Sequence, residues 1–219
     1  MKTDFVAYAT RKLVNNLPLE SEEQEFLGIF CAMLSARAES ERTRLTEFFS
    51  ELHDHAVALE EYHLGAAGEG SAETRAYKEQ GHQLVIGSMI DSLAKWLVLM
   101  KLVVFKAPDG SRFITSDDPC VRFNPDWAKI PAMLRGGLAD KAVEVTVPLA
   151  PRHLAYFSWN EVWRAFGKSD KEFSLNAPYL SIPAPIVDEL NRRTRFYCNA
   201  AFVTQTKELN PFWFTVDKM

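Results

Sequence analysis

The stretch of residues 101–159 constrains the fold most, because apolar strand patterns alternate there with strong turn signals. In the turn at 107–110, Pro108 fixes its own φ and Gly110 tolerates a positive φ. This turn predicts a hairpin that brings residues 112–115 beside residues 102–105. A second hairpin is predicted from two later runs that flank a proline-containing turn, residues 143–147 and 154–158. The stretch therefore predicts a small antiparallel sheet.

Residues 115–119, with the sequence Thr-Ser-Asp-Asp-Pro, end the second predicted strand abruptly, and we call them the knot. Pro119 favours extended geometry at Asp118 and removes one backbone donor. Asp117 and Asp118 can each form a local turn through their own backbone, so a strand-end turn is one interpretation of the knot. The other is a functional site, because paired carboxylates serve acid–base chemistry or hold Mg²⁺ beside a phosphate.

The first hundred residues show helical periodicity. Phe5, Ala9 and Leu13 recur four apart. Ser21 and Gln24 are spaced as a capping box, which predicts a long helix continuing through Leu52. A central helix is predicted at about residues 74–100. Charged residues interrupt its apolar run, so it is not expected to cross a membrane.

The fold class is therefore predicted as α+β. A helical part (1–100) is expected to pack on a small antiparallel sheet (101–158). A helix at 183–203, with Pro183 and Pro185 in its first turn, is expected to close the domain. The absence of a Pro/Gly/Ser-rich linker favours a single domain over residues 1–219.

Arg37 and Glu41 occupy positions on the long helix where its apolar stripe calls for hydrophobic side chains. Their i,i+4 spacing lets them face each other. In one interpretation the arginine stem packs and its head reaches water. In the other, a carboxylate holds the guanidinium in a pocket for an anionic group, and we expect Arg37 to meet Asp117 or Asp118.

Composition excludes several classes of protein. The net charge of −4 over 219 residues, with +3 in residues 101–219 (16 Lys+Arg against 13 Asp+Glu), lacks the basic footprint of a nucleic-acid binder. The three cysteines are widely spaced and form no CxxC pair, and the histidines lack ligand spacing. We therefore expect no disulfide, no metal and no cofactor. The first residues contain no continuous apolar segment typical of a signal peptide, so a cytoplasmic location is expected.

Four features together resemble one known family. They are the helix that ends in Arg37, the motif at 113–119, the turn at 148–151, and Asn191 followed by Phe196 and Tyr197. The combination is similar to the bacterial domain-of-unknown-function family numbered 4238, whose central motif usually reads T-S-D-N-P. This chain has Asp118 at the fourth position, and it lacks the segment rich in His, Pro and Tyr with which members tend to begin. The resemblance implies no established activity.

Two function classes follow from these features. In the first, the knot is mainly a structural keystone and the surface mediates interactions with a protein partner. In the second, the chain is an enzyme or an enzyme-like domain that binds an anionic or nucleotide-like small molecule. Its candidate catalytic residues are Asp117 and Asp118, and its candidate ligand-binding residues are Arg37, Ser116, His153 and Asn191. No nucleophile–base pair or glycine-rich phosphate loop is present, which favours the first class.

Overall fold

The computed structural model of the chain describes residues 2–65, 68–126, 137–167, 179–206 and 208–215. Within these residues, four helices come first, followed by seven short strands with two further helices and a 3-10 helix among and after them. In chain order the elements are α1 Lys2–Val14, α2 Ser21–Arg37, α3 Glu39–Leu64, α4 Ala72–Leu99, β1 Lys101–Lys106, β2 Thr115–Ser116, β3 Val121–Phe123, β4 Glu144–Ala150, β5 His153–Ser158, α5 Val162–Ala165, β6 Tyr179–Ser181, α6 Ala184–Tyr197, β7 Phe202–Val203 and the 3-10 helix Pro211–Phe214. The predicted α+β class is confirmed.

The predicted long helix is wrong at one position, because the chain breaks between α2 and α3. Ala38 adopts an extended conformation (φ −62°, ψ 141°) and serves as the C-cap of α2 and the N-cap of α3. The predicted capping box is also displaced by one residue. Glu20 and Glu23 exchange the two capping hydrogen bonds, and Ser21 is the first helical residue.

The sheet has five strands in the order β3-β4-β5-β1-β6. The predicted hairpin between β4 and β5 is confirmed, with Val147 opposite Ala155. β6 pairs with β1 in parallel, so the sheet is mixed rather than purely antiparallel. Sequence reasoning missed β6, a strand of only three residues that follows a long connection.

The other predicted hairpin is wrong. β1 pairs with β5, with Val103 opposite Tyr156, and the residues after the turn at 107–110 leave the sheet. The N–H of Phe113 donates to the carbonyl of Pro151 at 2.7 Å. β2 then forms a separate two-stranded sheet with β7, in which Thr115 faces Val203. Both β1 and β2 therefore pair with strands far along the chain and not, as the turn had predicted, with each other.

The five-stranded sheet buries both of its faces. One face packs with α1, α2 and α4 around residues such as Leu27, Leu97 and Val145. The other packs against α6 around Phe105, Tyr156 and Leu190. The closing helix α6 is confirmed, with Pro183 at its N-cap, but it ends at Tyr197 rather than at residue 203, since Cys198 is extended and Phe202–Val203 form β7.

Within the described ranges, no helix combines the length and the apolar character that a bilayer crossing needs. The longest helix, α4, instead uses Leu93 and Leu97 to pack inside the protein.

Candidate functional site

The knot is held first by its own hydrogen bonds. The Oγ of Ser116 donates to the carbonyl of Asp118 at 2.8 Å, and the N–H of Asp118 donates to that Oγ at 3.2 Å. A serine two residues before the turn thus satisfies the backbone in the way short polar side chains commonly do. Ser116 therefore already has both a donor and an acceptor partner inside the knot.

Asp117 forms hydrogen bonds with the backbone of the segment that follows α6. Its carboxylate accepts the N–H of Asn199 at 3.2 Å and that of Ala200 at 2.8 Å, while its own N–H donates to the carbonyl of Ala201 at 3.0 Å. Asp117 is exposed; its limited desolvation alone would raise its pKa, but the Ala200 amide, the Cys198 thiol and the Asn199 amide favour the charged form and lower the pKa on balance. Asp117 is therefore an ionised clamp on a backbone turn.

Asp118 is the buried member of the pair, with 5% of its surface exposed. Its Oδ2 accepts a short hydrogen bond from the Oγ of Ser40, at the start of α3. Its Oδ1 has no hydrogen-bond partner among the described residues. Burial raises the pKa of Asp118, the neighbouring charge of Asp117 adds to this, and the Ser40 hydroxyl opposes it. The knot is thus tied to the α2–α3 break through a buried carboxyl group whose pKa is raised.

Arg37 does not join this arrangement, and the expected pair with Asp117 or Asp118 is absent from the described structure. Arg37 is exposed at the end of α2 and forms no hydrogen bond or ion pair with any described residue. The physical reason is the break at Ala38, because the i,i+4 spacing of Arg37 and Glu41 places them on one face only if the helix continues through them.

Glu41 instead forms an ion pair with Arg122, in the middle of β3. Glu41 is buried, and it also accepts from Arg44 at 2.7 Å. Burial lowers the pKa of Arg122 to about 10, and the field of Tyr197 opposes this shift. Sequence reasoning missed Arg122 as well as Ser40. A charged residue between Val121 and Phe123 was the available signal for the first.

Asn191 joins α6 to the segment before the knot. Its Oδ1 accepts the N–H of Ile114 at 3.0 Å, and its Nδ2 donates to the carbonyl of Arg112 at 2.8 Å. The side chain is 1% exposed. Asn191 therefore replaces a neighbouring strand for residues 112–114, whose backbone groups would otherwise be buried without partners.

His153 lies apart from the knot, at the start of β5 and opposite Lys106 of β1. Its Nε2 is buried and has no hydrogen-bond partner in the described ranges. Burial and the charges of Lys106 and Arg152 lower its pKa, so the neutral ring is favoured. No described hydrogen bond or ion pair links His153 to Asp117 or Asp118.

Two of the segments that carried the family resemblance meet at a cavity of about 280 Å³. Its lining comes from Phe113, the first residue of the knot, the turn between β4 and β5, and the chain around β7: Phe113, Thr115, Pro148, Leu149, Ala150, Pro151, Val203, Thr204 and Gln205. None of the six candidate residues lines this cavity. A second cavity of about 160 Å³, beside Asp188 and Trp213, contains none of them either. The six residues therefore do not converge on either cavity.

Among the described residues, no group of three or more His, Cys, Asp or Glu side chains could hold a metal ion. Cys31 and Cys120 are buried free thiols and Cys198 is a half-buried one. Burial raises the pKa of Cys31 to about 12, so this thiol stays protonated and is a poor nucleophile.

Comparison with known proteins adds one finding. The sequence profile of the family described as "Protein of unknown function (DUF4238)" matches residues 6–208. The chain belongs to this family. The match spans every element from α2 to β7, so this DUF4238 protein carries the knot, the turn between β4 and β5, and Asn191 inside the family region. No curated protein and no solved structure matches the chain.

Proposed function

We propose that this protein acts as a protein-interaction module, and that the knot is a structural keystone rather than a reaction centre. We use the name latch for the knot together with Ser40, Asn191 and the pair Glu41–Arg122. The proposal takes residues 1–219 as one domain. A cytoplasmic location is part of it, in keeping with three free thiols.

The partners of the latch support a structural role. Asp117 receives two backbone amides, Ser116 serves the Asp118 backbone, and Asn191 serves two backbone groups of another segment. Groups that bind substrate commonly point into a cleft, with polar atoms directed at the ligand. Here the polar atoms connect α3, α6 and the small sheet to one another.

The observation that carries the proposal is an exposed apolar row on α3. It consists of four large side chains whose exposed fractions range from 43% for Leu52 to 83% for Tyr62, and we call it the arm stripe: Phe48, Leu52, Leu59 and Tyr62. Single exposed apolar residues are ordinary, but four on one face of a helix, with exposed His55 between Leu52 and Leu59, mark an interaction surface. α3 packs mainly on α4, so its stripe is left open to a partner.

The alternative, an enzyme or enzyme-like domain that binds an anionic or nucleotide-like ligand, has less support. It requires Arg37 to meet Asp117, Asp118 and Asn191, whereas Arg37 is exposed and the other three serve internal hydrogen bonds. Its cation is therefore not joined to its carboxylates.

A comparison of wild type with Leu59→Ser tests the proposed function. Affinity capture from cells that express the full chain is expected to recover a partner with wild type and to lose it with Leu59→Ser. Leu17→Ser, which changes another exposed leucine outside α3, is the matched control and retains the partner.

The rival function has its own measurement. A ligand that binds only the folded state raises the Tm. If the proposed function holds, thermal unfolding with millimolar phosphate, ATP and Mg²⁺ is therefore expected to leave the Tm unchanged. A concentration-dependent rise that Asp117→Asn abolishes would favour the ligand-binding alternative.

A further inference from the structure

We propose that the arm stripe receives a cationic amphipathic helix, that is, a partner segment with lysine or arginine beside its own apolar row. This inference rests on the proposed function and specifies the chemistry of the partner.

The spacing of the arm stripe fits a helical ligand. Phe48, Leu52, Leu59 and Tyr62 are separated by four, seven and three residues. They therefore fall within an arc of about 80° on a helix with about 3.6 residues per turn. From Phe48 to Tyr62 the row extends about 21 Å, at about 1.5 Å per residue. A partner helix of about four turns covers that length, and an apolar row of this kind is how helices are recognised by a groove or face.

The arm stripe is distinct from the face of α3 that packs on α4. That face carries Phe49, whose ring stacks on Tyr77 with centroids 5.1 Å apart. Phe49 also lies against Gly81, where a Cβ would come within 2.2 Å of the ring. On the same face, Nδ1 of His53 and Oγ1 of Thr74 are 3.2 Å apart. The contacts with α4 therefore use one side of α3 and leave the stripe uncovered.

The charge beside the stripe selects a cationic partner. α3 contains seven acidic residues and two arginines, and Arg122 of β3 and Lys78 of α4 pair with its Glu41 and Asp54, which leaves a net charge of 4 − 7 = −3 with neutral histidines. Both arginines already face carboxylates of α3, Arg42 with Glu39 and Arg44 with Glu41. Glu47 and Glu51 border the stripe, are exposed, and form no ion pair with a described residue.

The same charge argues against two other occupants. A second copy of the chain would bring another Glu47 and Glu51 against this pair, and like charges across an interface oppose association. An anionic lipid surface would meet the same repulsion. A helix with cationic flanks instead gains attraction on the row of Glu47 and Glu51 and burial on the stripe.

The test uses two synthetic peptides of about four helical turns. One has leucine at helical spacing with lysine elsewhere, and the other replaces each lysine by glutamate. Fluorescence anisotropy with the full chain is expected to give saturable binding of the Leu/Lys peptide only. Leu59→Ser should weaken this binding at least about tenfold, as expected for a central apolar contact. The double variant Glu47→Gln/Glu51→Gln should weaken it less and reduce its dependence on salt. Leu17→Ser is the control and binds like wild type.

Three results would overturn the inference: equal binding of both peptides, Leu/Lys binding that Leu59→Ser leaves unchanged, or no binding of the Leu/Lys peptide. Sedimentation of the chain without peptide tests whether a second copy occupies the stripe. A dimer that Leu59→Ser dissociates would assign the stripe to a second copy. If a cellular partner is lost in Leu59→Ser while the Leu/Lys peptide does not bind, the interaction function stands and the cationic helix is wrong. Far-UV circular dichroism confirms that each variant is folded.

Discussion

The latch and the arm stripe differ in how residue type relates to exposure. The latch contains charged and amide side chains that suggest chemistry, yet Asp118, Asn191 and Glu41 are buried and hydrogen-bonded within the chain. The arm stripe contains ordinary hydrophobic side chains, yet Leu59 and Tyr62 are 60% and 83% exposed. Residue type alone would assign function to the first region and packing to the second. The hydrogen bonds and exposure of these residues instead favour a packing role for the latch and a binding role for the arm stripe. Four predictions test this assignment.

The largest effect is expected at the buried ion pair of the latch. Glu41→Gln leaves the Arg122 guanidinium without a carboxylate in a largely dry site and should lower the free energy of unfolding by about 3–5 kcal/mol. Arg122→Met should cost less, because Arg44 still serves Glu41. Urea denaturation measures both. Glu39→Gln removes an exposed pair to Arg42 at 3.8 Å and is the control, with a loss of at most about 1 kcal/mol. Equal losses for Glu41→Gln and Glu39→Gln would contradict the buried pair.

A smaller loss is expected at Asn191. Asn191→Leu keeps the approximate volume but leaves the Ile114 N–H and the Arg112 carbonyl without their partner, which should cost about 2–3 kcal/mol. The exposed Asn199 offers a matched control, since only its backbone is used. Hydrogen exchange should accelerate at Ile114 in Asn191→Leu and stay unchanged in Asn199→Ala. Protection of Ile114 that survives the loss of Asn191 would show that another group holds this segment.

The two aspartates of the knot should give pH effects of opposite sign, smaller than the losses above. Asp118 has a raised pKa when folded, so its stabilising contribution is complete below the unfolded pKa and is lost as pH rises through the folded one. Asp118→Asn should therefore gain stability relative to wild type as the pH rises above the unfolded pKa of about 4. Asp117 has a lowered pKa, so its contribution is lost as pH falls, and Asp117→Asn should change in the other direction. Stability curves of both variants that run parallel to wild type would refute the assignment.

The smallest effect on stability is expected at the arm stripe. Leu59→Ser removes an exposed side chain that contacts no core cluster, so the free energy of unfolding should change by no more than about 0.5 kcal/mol. Its buried counterpart Leu97→Ala, on α4, should cost about 2–5 kcal/mol. A large loss at Leu59 would mean that the stripe is part of the fold and not a surface held for a partner.

The sequence predicted the local features of the fold well. The helical half, the β4–β5 hairpin and the α6 start at Pro183 follow from periodicity and turn chemistry within about 20 residues. The pairing of β1 was wrong, because β5 and β6 lie far away along the chain and no short-range signal distinguishes them from the nearby segment 112–115. The break at Ala38 was also missed, since neither proline nor glycine marks it.

In the candidate site, too, the local features were predicted and the long-range contacts were not. The knot was found from its composition, and its turn hydrogen bonds follow from Ser116 and the two aspartates. Their distant partners did not follow, because serine at position 40 and arginine at position 122 become informative only once the break at Ala38 sets where α3 begins. Because the helix breaks at Ala38, Glu41 pairs with Arg122 on β3 and not with Arg37, the partner expected on the same helix.

The clamp of Asp117 on Ala200 has a consequence for synthesis on the ribosome. Asp117 is 83 residues earlier in the chain than the amide it accepts, and Asn191 is 77 residues later than Ile114. A nascent chain therefore exposes segment 112–117 without these later partners until residues 191–200 have been synthesised. Truncation after β6 removes all of them and should leave an aggregation-prone intermediate for chaperones to hold.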